Sequence, residues 1–114
     1  MIVKKADEAP AKRVDIEGAV GVWIRLLIHD AEGAPNFYMR QFDVEPGGCT
    51  PLHEHPWEHE VYVLAGAGVV AGPDGETAIG AGDCVFVPPG EVHQFRNTGG
   101  GVLKFLCLVP KDSG

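Results

Sequence analysis

From Ala19 to Val109 the chain runs as short segments rich in β-branched and aromatic residues, each closed within a few residues by glycine or proline. Segments this short carry no sustained 3.6-residue apolar stripe, so a sheet rather than a packed helix must bury them. They fall at 19–28, 37–44, a third beginning in LHEHP that Pro56 interrupts, 58–66, GVVA, TAI, 83–87, 92–97 and 102–109. The first is long enough for a helix, yet Val20, Val22, Trp23 and Ile24 between glycines favour a strand. HDAEGAPN (29–36) and EPGGCTP read as turn and bend, and the Asp-Gly pair of GPDGE (72–76) favours a tight hairpin. The expected fold is all-β, with eight to ten short antiparallel strands. Their even spacing makes a jelly-roll β-barrel the natural candidate.

A length of 114 residues suits one domain and a core that needs no disulfide staples. Residues 1–18 are charged and carry Pro10, and they read as an irregular lead-in to a single domain over 19–114. The net charge of −7, without a basic stripe, argues against nucleic acid or an anionic membrane as partner. No apolar run approaches the ~18 residues of a membrane span, and the start lacks a signal peptide's apolar stretch, so the cytoplasm is expected. Cys49, Cys84 and Cys107 are odd in number and widely spaced, which suggests three reduced, buried thiols rather than a bridge or a zinc knuckle. None has a neighbouring His or cation in the sequence to mark it as a nucleophile.

Four of the five histidines fall in two compact segments. His53 and His55 are two residues apart, and on a strand such a pair points to one face, where two imidazoles can share a cation at ~2.0–2.2 Å. An isolated pair of this kind is as often two surface histidines. The surroundings say more: they read Gly47-x5-His53-x-His55-x3-His59-x6-Gly66, and later Gly82-x5-Pro88-x-Gly90-x2-His93-x3-Asn97. Gly47, Gly66, Gly82 and Gly90 suit bends that need positive φ, and Pro88-Pro89 stiffens the approach to His93. Asn97 reads as a turn or edge residue bonding local backbone, and His29 as a solvated turn residue.

These two segments closely resemble the paired signature motifs of the cupin superfamily, and with the stretch between them they cover residues 47–97. The second matches at every fixed position; the first departs at one, where His59 replaces the family's glutamate. The resemblance implies a jelly-roll barrel and a metal site formed by His53, His55, His59 and His93, and some small cupins do use four histidines. Glu60 is the alternative fourth ligand, because the spacing from His55 permits either. The six-residue count to Gly66 favours His59, as does odd parity shared with His53 and His55, unless a bulge near Pro56-Trp57 breaks the strand.

Imidazole ligands suit several metals. The family resemblance favours Mn(II) or Fe(II), with Ni(II), Zn(II) and Cu(II) open. Four neutral imidazoles leave the cation's charge uncompensated, so two open positions should attract a small, oxygen-rich, anionic chelator: an oxalate-like acid, a 2-oxo acid or an enolate. Trp57 and Phe95 are candidates for the pocket, with core packing the alternative for each. Arg40, the lone cation of its segment, would suit a carboxylate if it faces inward, and a surface salt bridge if it does not. The expected function is a metal-dependent enzyme, a dioxygenase or decarboxylase; the alternative is a non-catalytic small-molecule-binding or sensing protein. A homodimer is also expected, because 19–28 is apolar at both odd and even positions.

Overall fold

The computed structural model describes residues 1–113. Nine strands form it: β1 (Lys12–Arg13), β2 (Val20–Ile28), β3 (Phe37–Cys49), β4 (His59–Ala65), β5 (Ala67–Gly72), β6 (Gly75–Gly80), β7 (Cys84–Val87), β8 (Gln94–Asn97) and β9 (Leu103–Pro110). Among the described residues two single-turn 3₁₀ helices, Ala6–Glu8 and Asp30–Glu32, accompany them. All pairs are antiparallel, in the order β6-β5-β8-β3-β9-β4-β7, with β2 against β3 and β1 against β2. The fold is all-β, a curled sheet consistent with a jelly roll. Among the described residues no helix is long and apolar enough to cross a membrane.

The curl is made in β3. Two steps along β2, from Val20 to Val22, face five along β3, from Cys49 to Val44. The surplus holds Pro46, Gly47 and Gly48, so the expected bend lies inside one long strand rather than between two. Past it, β3 leaves β9 and pairs with β8 through Cys49 and Arg96. Gly48 permits the crossing, because a Cβ there would stand 2.4 Å from the Val20 carbonyl oxygen. Gly47, Gly66, Gly82 and Gly90 all have positive φ, between 78° and 92°, as the bends required.

Alternation places the core. Along β9, Leu103, Phe105, Cys107 and Val109 are buried while their neighbours are only half-buried. Along β4, His59, Val61 and Val63 point inward and Glu60, Tyr62 and Leu64 outward.

Three local expectations are corrected. LHEHP does not start a strand: from 50 to 58 the chain is irregular, and His53 makes a single bridge to His93. Pro51 and Pro56 have no N–H to give a ladder. The 72–76 hairpin closes on Pro73-Asp74, with Gly72 opposite Gly75, so Asp-Gly is not its central pair. Pro73's restricted φ excludes the mirror-image turn, and Gly75, at φ 117°, takes the positive-φ position after the loop. Of the cysteines, all free, Cys107 alone is buried; Cys49 is half-buried and Cys84 is exposed on the outer strand β7.

The lead-in is irregular over most of its length but anchored. Lys12 and Arg13 pair with Ile24 and Trp23, Ala9 is buried, and the Arg25 guanidinium donates to the carbonyls of Asp7 and Ala9.

Candidate metal centre

One end of the curled sheet encloses a cavity of about 220 Å³ into which four histidines project. His53 sits exposed at its mouth, His55 is half-buried, and His59 and His93 are buried deeper. Ring nitrogens of His53, His55 and His93 all lie within 4.8 Å of one another. Ligands on opposite sides of one cation at ~2.1 Å would be ~4.2 Å apart, so this group is within a small ring movement of closing on an ion.

His59 faces the same space. Its Nε2 stands 2.6 Å from His55 Nε2, and its ring centroid is 5.1 Å from that of His93. Glu60, the alternative at this position, is exposed on the outer face and borders a different depression with Phe37 and Glu58. The reason is not a continuous strand from His53 to His59, as parity assumed. Only His59 belongs to β4, and its direction follows from the alternation with Val61 and Val63. His53 and His55 are carried by the loop, clamped by paired backbone bonds between His53 and His93 (3.2 and 3.0 Å) and by Gly90 N–H donating to the His55 carbonyl at 2.8 Å.

Backbone acceptors orient two of the rings. His55 Nδ1 donates to the Trp57 carbonyl and His93 Nδ1 to that of Glu91, each at 2.9 Å. A carbonyl only accepts, so each Nδ1 carries a proton, and in the neutral ring each Nε2 then keeps its lone pair. His59 Nδ1 lies 3.0 Å from Cys107 Sγ. Burial also favours the neutral form of three rings: it lowers the pKa of His53 and His55, and it takes His59 down to about 3, with His55, Arg40, His93 and His53 adding repulsion. Neutral imidazoles with directed lone pairs are what a divalent cation requires.

The pocket candidates all border this cavity. Trp57 stacks on His55, with centroids 4.3 Å apart and planes 7° from parallel. Phe95 serves as both wall and core, stacked 4.8 Å from Phe105. Arg40 points inward, against the surface alternative, because it shares its face of β3 with Phe42 and buried Val44. Cys107 was not singled out by sequence, yet Arg40 Nη2 donates to its Sγ at 3.2 Å and His59 touches it. Its parity with Leu103, Phe105 and Val109 was the available signal. Burial raises the Cys107 thiol's pKa, with Arg40 opposing.

Outside the cavity, Asn97 is buried and binds backbone only. Its Nδ2 donates to the carbonyls of Val44 and Gly101, and its Oδ1 accepts from Gly99 N–H. His29 is half-buried and remote, its ring edge-on to Tyr38.

The model of the cupin domain family matches residues 40–109. The chain is a cupin. It is 30% identical over 112 residues to an oxalate-binding protein of Thermotoga maritima, covering 96% of this chain and 93% of that one. It is 37% identical over 71 residues to 1-methylthio-D-xylulose 5-phosphate methylsulfurylase of Rhodospirillum rubrum, a match covering 62% of this cupin and 46% of the relative. Its structure is similar to the polyketide cyclase RemF from Streptomyces resistomycificus, with a TM-score of 0.92 and 36% identity over 98% of this chain and 80% of that one. Three of the cupin's histidines form a group able to hold a metal.

Proposed function

We propose that this cupin holds one divalent cation, Mn(II) or Fe(II) by preference, on His53, His55, His59 and His93, and that it acts as a metal-dependent enzyme on a small anionic, oxygen-rich substrate. The observation that carries the reading is the convergence of neutral imidazole nitrogens in one cavity, two of them with lone pairs directed there by carbonyl partners. A bound cation supplies Lewis-acid polarisation of a chelated oxygen substrate, and iron adds redox chemistry. The protein's own part is positioning. The clamped loop fixes His53 and His55, the β4 alternation aims His59, the apolar walls exclude water, and Arg40 attracts the anion. Oxygenation and decarboxylation are the two reactions this arrangement suits.

A second reading, a non-catalytic binding or sensing cupin, has its own support. Among the described residues no carboxylate lines the cavity. Thr50 is occupied too: its hydroxyl accepts from Phe95 N–H at 2.9 Å. The relatives' names include both a binder and enzymes. Elemental analysis of the protein as isolated, with oxygen uptake screened against small 2-oxo acids, separates the readings. Iron with uptake supports the oxygenase; manganese with substrate loss but no uptake supports decarboxylation. Stoichiometric metal with ligand binding and no turnover supports the sensor, and no retained metal refutes the site.

A further inference from the structure

Among the described residues nothing neutralises the charge of Arg40: no carboxylate lies within ion-pair distance of it. Its guanidinium is held by Cys107 Sγ and by the Phe42 ring, whose centroid is 5.1 Å from Cζ, and its Nε is buried without a hydrogen-bond partner. A half-buried cation whose Nε lacks a partner favours an anion beside it, and a cation held by the histidines would add to the same unbalanced charge. Arg40 and His59 touch the same sulfur and line the same cavity, so one bound carboxylate is within reach of both the guanidinium and the histidines.

The rest of the wall is a different chemistry. Val22, Ile24, Phe42, Trp57, Phe95 and Phe105 present it almost entirely as hydrocarbon and ring surface. The volume of about 220 Å³ exceeds the ~150 Å³ apolar cavity that admits benzene and falls short of the ~300–1,000 Å³ of drug-sized ligand sites. We propose that the cavity takes a monocarboxylate with an apolar body of about one ring, its carboxylate anchored by Arg40 and its body against these walls. This keeps the anionic substrate of the function proposed above, replaces its further oxygens with an apolar body, and rests on that reading of the cavity. An oxalate-like dianion would answer the charge and leave the apolar walls facing water.

The test is calorimetric titration of the full chain, metal-stripped and metal-loaded, with phenylacetate, its neutral isostere phenylacetamide, and oxalate. Wild-type protein should bind phenylacetate in both forms and at least ~10-fold more tightly than phenylacetamide. Arg40→Gln should lose about 10–100-fold for phenylacetate, the range for one charge-assisted interaction, with phenylacetamide unchanged. Arg40→Lys, which keeps the charge without the planar fork, should lose less than Arg40→Gln. The proposal is overturned by equal affinity for the acid and the amide, by Arg40→Gln binding phenylacetate as wild type does, or by stripped protein preferring oxalate. Thermal melting of each variant confirms folding. Metal content after dialysis is read separately, so failure of the metal site leaves the metal-stripped Arg40 comparison decisive.

Discussion

His59 and Glu60 are chain neighbours whose side chains leave β4 on opposite faces, one into the histidine cavity and one into solvent. If His59 is a ligand, His59→Ala should cost more than the ~10–100-fold in metal affinity that changes in a ligand's hydrogen-bond partners typically cost, whereas Glu60→Gln should retain metal as wild type does. Metal content of the two variants after parallel dialysis checks this; the reverse pattern would restore a three-His-one-Glu site. His59 also predicts a pH dependence. Its folded pKa of about 3 lies well below the ~6.5 of an unfolded imidazole. Between those values the unfolded chain binds more protons than the folded one, so stability falls as pH falls through this window and is fully regained above it. The melting temperature of metal-stripped protein should therefore drop from pH 7 to pH 4. His59→Phe, which cannot titrate, should show a shallower drop.

At the scale of elements, the turns carry the constraint. Gly66 joins β4 to β5 at φ 88°, and a Cβ there would meet the Val102 carbonyl oxygen at 2.4 Å. The next nearest atoms, Leu103 Cα and Val102 C, are backbone too, with no flexible side chain to move aside. Gly66→Ala should lower stability by about 1–3 kcal/mol, read from chemical denaturation, and loosen the end of β4 opposite His59. Glycine at this bend was legible in the sequence. The close approach of Val102 was not, because it comes from the turn into β9, far along the chain. Likewise, Pro51 was visible within a bend and Pro56 as an interruption, but the paired bonds that hold the broken stretch against His93 exist only once β8 lies beside it.

For the whole molecule, β2 leaves a question of association. Val20, Leu26 and Ile28 remain exposed on it although Val22 and Leu27 are buried, so the apolar character seen on both faces of the segment is only half used within one chain. We expect a homodimer that covers this surface, since exposed strand residues of this kind favour association. Sedimentation at micromolar concentration should show twice the chain mass, and Leu26→Glu with Ile28→Lys should return a monomer. A wild-type monomer would set the expectation aside.

The sequence alone determined the all-β fold and the positive-φ glycines, and it singled out the four histidines that share the cavity, because each follows from a local rule: period-two burial, steric freedom at a turn, spacing within a motif. Tertiary structure decided what those rules cannot reach. Arg40 faces inward because β3 places it with Phe42 and Val44, and Cys107 joins it only because β9 pairs alongside, Arg40 opposite Cys107. Ile16 and Val14 help to wall the cavity because β1 ties the charged lead-in to β2. Parity named His59 correctly as the inward residue through a strand that does not exist between 50 and 58. The convergence of His53 and His55 with His93 instead depends on two distant loops exchanging backbone hydrogen bonds, a contact set by chain topology and by no residue pattern within either loop.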